Sequence, residues 1–426
     1  MRDVALLLML FALAWAALAR PWVGVIALAV VGFLHPQGYA TGFMRDFPAY
    51  LVLFGVVCAA LAKALAFDKL RPRLPRDWRL AVLALLWGWF AVTSYVSINP
   101  WAAWPKLWEV MKILPPLLLM LALIDTRDKL FYLIVAMTLA IALVTVKGGY
   151  WAVMTGFQDR VYGPPGSQYG DNNEFAIAVT MTIPLLVLWR HEARDKTLRW
   201  VIAGAIALSY AAALSSWSRG ALLSLTAVTL LLVWHSRRKL LFLPLLALAV
   251  ALVLISLPET WFSRMETIAN FQNEGSAQGR LEAWRIALDL VREQPVFGGG
   301  FEGWIYATLS TGGSRDWHNA YLEMAAEHGL VGLGLWALLL FGSMASLTRL
   351  IMQAKSHKLE WVHTYGAMLR TSLAGYAVGA IFLGIAYWEL LYWLIGATVI
   401  LRQLARQSLC QAKPSYPSGA LTAPAI

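Results

Sequence analysis

Long apolar runs without charge constrain this chain more than any other feature. About 20 such residues, wound as a helix, cross a hydrocarbon core about 30 Å thick. Within a bilayer only helices and closed barrels satisfy their own backbone, and the alternating pattern of barrel strands is absent here. Candidate spans fall at 4–19, 21–35, 49–66, 80–97, 109–124, 130–147, 173–189, 199–214, 219–234, 239–257, 319–348, 366–383 and 386–401. The first two are short and separated by Arg20-Pro21, so they form a hairpin or one broken element. The expected fold is an all-α polytopic membrane protein with about 12 transmembrane helices.

Composition agrees. The chain is 59% hydrophobic and 14% charged, against about 45–50% and about 25% in soluble proteins. A net charge of +11 raises the question of nucleic acid. The basic residues lie mostly in short loops, however, where they fix topology, so no nucleic-acid partner is expected. Cys58 and Cys410 share no ligand-like spacing, which argues against a disulfide or zinc site. The opening Met1-Arg2-Asp3 and its apolar run have no clean cleavage site, so the segment reads as a retained helix.

Loop charge sets the orientation. The loops 67–79, 125–129, 190–199, 235–239 and 349–363 and the C-terminal tail are all basic and fall on one side if the spans alternate. Positive-inside makes that side the cytoplasm. The loops 36–48, 98–108, 148–172, 215–218 and 258–318 are then periplasmic. Four parts follow: N-terminal transmembrane helices (1–257), a periplasmic loop with an amphipathic helix (258–318), C-terminal transmembrane helices (319–404) and a cytoplasmic, disordered tail (405–426). Within the loop, Leu281, Trp284, Leu288 and Val291 recur at helical spacing, with Arg280, Arg285 and Arg292 elsewhere around the helix, a pattern suited to a membrane interface.

Four polar clusters share the periplasmic side. Ser215 to Gly220 forms a tight turn. Arg219 there either snorkels or faces a cavity or partner, and Ser218 satisfies a helix end or binds an anion. Gln278-Gly279-Arg280 is expected to open the amphipathic helix, where backbone N–H groups and a guanidinium favour phosphate; a solvated Arg is the alternative. In Ser314 to Glu323, Ser314 or Asp316 is the expected N-cap. His318 would then occupy the first turn, where the helix dipole keeps the imidazole neutral and able to take a proton. Asn319, Glu323 and Glu327 share a stripe, while Trp317 and Tyr321 flank it; a merely structural His318 is the alternative. The segment Arg160-Val161-Tyr162 to Glu174 reads as an ordered turn in which Asp171 or Asn172 caps the next helix or contacts substrate. No metal-site, Walker or nucleophile-elbow pattern is present, and no cofactor is expected. The threaded midplane polarity of a lipid-linked sugar transporter is also missing.

The S-x-S-R-G turn (Ser216 to Gly220), Gly279-Arg280 before an amphipathic helix, and H-N-x-Y-L-E (His318 to Glu323) entering a late span together resemble the O-antigen ligase and polymerase superfamily. The opening MRD, the Arg20 to Gly24 stretch and GPPGSQYGDNNEFA (Gly163 to Ala176) look closer to an O-glycosylation ligase subgroup. The resemblance implies transfer of a glycan from undecaprenyl pyrophosphate to lipid A–core, without metal or nucleotide. It implies His318, Arg219 and Arg280 as the catalytic residues. Arg160, Tyr162, Asn172, Ser218, Trp317, Asn319, Tyr321 and Glu323 are the expected substrate-binding set. Displacing pyrophosphate without a metal needs guanidinium groups, the acceptor hydroxyl needs a base, and a one-step attack inverts the anomeric centre. An O-antigen polymerase or a protein O-oligosaccharyltransferase would differ only in acceptor.

Overall fold

The computed structural model describes residues 2–236, 239, 255, 257–266, 275–308 and 316–411. Regular structure among them is helical throughout. The first two candidate spans are two helices, α1 (Arg2–Ala19) and α2 (Pro21–Leu34), which turn at Arg20. Asp3 accepts hydrogen bonds from the Gly42 and Met44 N–H groups at 3.1 Å each, so α1 begins at the end where α2 finishes. After a 3-10 turn at Pro36–Tyr39 come α3 (Ala49–Ala66), α4 (Trp78–Tyr95), α5 (Pro100–Met111), α6 (Leu114–Leu123), α7 (Arg127–Met154), α8 (Asn172–Glu192), α9 (Lys196–Ser215) and α10 (Arg219–His235). The candidate span 239–257 lies largely outside the described residues.

The expected span 109–124 does not exist as one helix. Pro115 and Pro116 interrupt the backbone ladder, so α5 ends at Met111 and α6 restarts at Leu114. With 10 residues, α6 is about 15 Å long, half a bilayer. The loop region contributes α11 (Glu259–Glu266), α12 (Gly275–Glu293) and the short α13 (Trp304–Ala307), and the chain closes with α14 (Ala320–Ser356), α15 (Glu360–Gly379) and α16 (Glu389–Gln411). The helix thus continues through 405–411, where a disordered tail is expected; the rest of the tail lies outside the described residues.

Polar residues between the apolar runs start the helices. Asp77, Asn99, Thr126, Asp171, Asp195, Ser218 and Asn319 each accept a hydrogen bond from a first-turn N–H, satisfying donors the helix itself leaves open. The centre of the bundle is α8, packed against α7, α9, α10 and α15. By contrast α1 lies at the rim, with Phe11 and Trp15 about 70% exposed (68% and 70%). Among the described residues, six helices are long and apolar enough to cross a membrane: α1, α3, α7, α8, α9 and α14. These and the outward Leu, Phe and Trp side chains make this a multi-pass membrane protein.

The basic loops gather at one end of the bundle. There Asp77 pairs with Arg79 and Arg402 at 2.8 and 2.7 Å, and Arg127 pairs with Glu192 at 2.8 Å. Every cluster of interest sits at the opposite end.

Candidate active site

The turn between α9 and α10 is held by the loop that precedes α8. Val161 donates its N–H to the Ser215 carbonyl (3.1 Å), Ser215 Oγ donates to the Asp159 carbonyl (2.6 Å), and Asn172 Nδ2 donates to the Ser216 carbonyl (2.7 Å). Ser218 caps α10 by accepting from Ala221 N–H at 3.3 Å, which puts Arg219 at the first helical position. Gly220 packs on Phe382 of the α15–α16 connection. Arg160 is exposed, its guanidinium 5.3 Å over the Trp217 ring, and Tyr162 is exposed beside it. Asn172 is buried, and its carboxamide shapes the turn.

The segment leading into α14 differs from its sequence reading. Asn319, and not Ser314 or Asp316, caps the helix, accepting from the Tyr321 and Leu322 N–H groups at 3.0 and 3.1 Å. Ser314 lies outside the described residues. His318 therefore precedes the helix, in the left-handed region at φ 46°. Burial pushes the imidazole below its ordinary pKa, Asp316 and Asp171 pull it upward, and Arg280 pushes it further down. Enclosure thus favours the neutral imidazole.

Past the cap, α14 is broken at Gly329, which has φ 66° and ψ −176°. Only glycine takes this conformation without strain, and a Cβ there would collide with the Val296 carbonyl. The break releases the Ala326 and Glu327 carbonyls, which accept from Gly299 and Gly300 N–H at 2.7 and 2.8 Å, while Leu330 N–H donates to the Pro295 carbonyl at 2.8 Å. The acidic residues thus lie on a short helical piece before the break. Glu323 accepts from Ala386 N–H at 3.0 Å; Glu327 accepts from Glu302 N–H at 3.1 Å and from the Tyr387 hydroxyl at 2.7 Å. Tyr321 donates its hydroxyl to the Ala377 carbonyl at 2.8 Å.

The amphipathic helix also needs correction. It runs from Gly275, so Gly279 and Arg280 sit inside α12 rather than at its first residue. Ala283, Ala287 and Leu290 are the buried face, packed toward α14 and Trp317, while Leu281 and Leu288 are 47% and 46% exposed. Trp317 is fully buried, enclosed by protein, and its carbonyl accepts from Trp284 Nε1 at 2.9 Å. It anchors the strand that carries His318.

The expected residues therefore divide into two groups. His318 and Arg280 share one electrostatic environment with Asp316 and Asp171, and Asp316 reaches the α15–α16 connection at Gly384, two residues after the Phe382 that packs beneath Arg219's neighbour. Asn172, Ser218, Trp317, Asn319, Tyr321 and Glu323 make polar or packing contacts with the protein itself, as caps, ties and anchors. Sequence reasoning missed Lys106 of α5. It pairs with Glu109 at 3.2 Å and Glu302 at 3.9 Å. Burial pulls its pKa down, but Glu109, Glu302 and Glu323 outweigh that and raise it, so a charged ammonium stands among the carboxylates. The i,i+3 spacing of Lys106 and Glu109 was the available signal.

Compared with known families, residues 1–193 match a family of unknown function (DUF5935), and residues 203–337 match the family described as O-Antigen ligase. No curated protein matches the chain. The second matched stretch contains Arg219, Arg280 and His318, the capped turn, α12 and the broken entry to α14, so this part of the chain, which holds the three expected catalytic residues, is similar to the O-antigen ligase family.

Proposed function

We propose that this protein is a membrane glycosyltransferase that moves a glycan from undecaprenyl pyrophosphate to lipid A–core at the periplasmic face of the bacterial inner membrane. About twelve of its helical segments would cross the bilayer, with the basic end in the cytoplasm. The observation that carries the reading is the shared field of His318 and Arg280 at the end of the bundle where Arg219 opens α10.

In this reading the neutral imidazole of His318 takes the proton from an acceptor hydroxyl. The freed oxygen attacks the anomeric carbon as the bond from that carbon to the pyrophosphate oxygen breaks. Arg219 and Arg280 stabilise the charge gathering on the leaving pyrophosphate, and the anomeric centre inverts. Asp316 and Asp171 moderate the base, since both favour its protonated form. Arg160 and Tyr162, exposed at the rim, are the proposed contacts to the glycan, while Asn172, Ser218, Trp317, Asn319, Tyr321 and Glu323 position the site.

The test is transfer in detergent from a lipid-linked glycan, with EDTA present, to lipid A–core, to a peptide and to a second lipid-linked glycan in parallel. Product on lipid A–core with inverted linkage supports the reading. Product on the peptide or the second glycan alone would replace the acceptor, and a retained linkage would exclude the one-step route.

A further inference from the structure

A second polar cluster lies at the same end of the bundle, on its N-terminal side. It combines Gln37 and Tyr39 of the 3-10 turn, Tyr50 at the start of α3, Gln168 and Tyr169 of the loop before α8, and Glu389 at the start of α16. Several contacts bring these elements together. Gln168 Oε1 accepts from Glu389 N–H at 3.1 Å. The loop around Gly163 closes on itself, with Gly163 N–H bonded to the Gly170 carbonyl at 3.1 Å, and its Pro165 carbonyl abuts Gly38. A Cβ built on Gly32 would lie 3.2 Å from the Tyr50 ring and 3.6 Å from a Glu389 carboxylate oxygen, so these two side chains converge on one spot. Tyr169 is 5% exposed, and burial, then Tyr39 and Glu389, raise its phenol.

Polar atoms in this cluster are enclosed without being used. Among the described residues Tyr169 Oη, Tyr50 Oη and Gln37 Oε1 are buried and have no hydrogen-bond partner. A buried unpaired hydroxyl is costly because it has given up its bonds to water, and proteins satisfy the great majority of such groups. Tyr50 and Tyr169 flank the Glu389 carboxylate, with Gln37 in the adjoining 3-10 turn, and these unused atoms point to a ligand that bonds to them. Phenols, carboxamides and a carboxylate match vicinal hydroxyls and apolar ring faces. The carboxylate disfavours phosphate, and the nearby cation Lys147 is engaged with the Tyr39 ring at 5.4 Å.

We infer that Gln37, Tyr50, Tyr169 and Glu389 form a subsite for a neutral sugar unit of the glycan, separate from the guanidinium centre that would hold pyrophosphate. This rests on the proposed glycan transfer only in taking the sugar to be part of the transferred chain or its acceptor.

The test uses the full-length protein in nanodiscs on an array of neutral and anionic oligosaccharides, with undecaprenyl pyrophosphate lacking sugar as a second probe. The wild type should retain neutral glycans, and Tyr169→Phe and Glu389→Gln should each weaken that retention about tenfold or more, the scale of one lost buried hydrogen bond. Tyr169→Phe removes a hydroxyl with no partner in the fold, so its melting temperature should not fall. Both variants should bind the sugar-free lipid as the wild type does. Equal glycan retention in wild type and variants, or none in the wild type, overturns the subsite. If the wild type fails to bind the sugar-free lipid yet still shows Tyr169-dependent glycan retention, it is the pyrophosphate chemistry that fails, and the subsite stands.

Discussion

The indole N–H of Trp284 donates to the main-chain carbonyl of Trp317 at 2.9 Å. Trp284 lies one helical turn beyond Arg280, and Trp317 immediately precedes His318. One hydrogen bond therefore ties the helix carrying the guanidinium to the strand carrying the imidazole. Trp284→Phe keeps most of the packing and deletes the donor. We predict a stability loss of about 1 kcal/mol but a fall in transfer rate of at least tenfold, because small misplacement of reacting groups is costly. Parallel thermal unfolding and single-turnover transfer measurements would check the two separately, and an unchanged rate would detach this tie from catalysis.

Activity should rise with pH through an ionisation below the ordinary imidazole value of 6.5, because burial lowers His318 and only the neutral ring accepts a proton. Below that midpoint the logarithm of the rate climbs with pH, and above it the rate is level. Asp316 raises the His318 pKa and Arg280 lowers it. Asp316→Asn should therefore move the midpoint to lower pH, and Arg280→Gln to higher pH. A pH–rate profile of the three proteins decides; shifts in the opposite directions would remove His318 as the titrating group.

His318→Asn is the informative substitution at the base. Asparagine tolerates the left-handed backbone that His318 occupies, so folding should be preserved while transfer falls by about 10²–10⁴-fold. Arg219→Ala and Arg280→Ala should each lower turnover by about 10²–10³-fold. Normal glycan attachment by the Asn variant in cells would take His318 out of the mechanism.

Asn319→Ala should cost about 1 kcal/mol of stability through loss of the cap and leave donor affinity unchanged once protein is saturating. Trp317→Ala should cost about 3–5 kcal/mol, as buried aromatic truncations do, and should loosen α12. Limited proteolysis in the 275–308 region would report the second effect. A strong drop in donor affinity for Asn319→Ala, with stability intact, would return Asn319 to the substrate-contact set.

The six long apolar helices and the cap at Asp171 were legible in the sequence because apolar run length and polar punctuation are local signals. The internal breaks were not. Gly329 sits inside an apolar run and reads as continuous helix; the reason for its break is a carbonyl more than thirty positions earlier in the chain, at Val296. The start of α12 was read three residues late because Gly275 to Ala277 carry no apolar repeat. The neutral state of His318 was anticipated from a helix end that lies beyond it; its actual cause, enclosure, is a tertiary property. Tyr50, Tyr169 and Glu389 were unreadable as a group because they come from three distant segments that only the tertiary fold brings together.

The three-way joint of Ser97-Ile98, Gly299-Gly300 and Ala326-Glu327 is formed by stretches some two hundred and thirty positions apart. Contacts of such long range close late, after the chain has met its loop-entropy cost. The chain would thus be inert while it emerges from synthesis and would become competent only when α14 docks. A protein truncated at residue 318 should reach the membrane yet leave residues 275–308 open to protease, whereas one truncated after residue 411 should protect them.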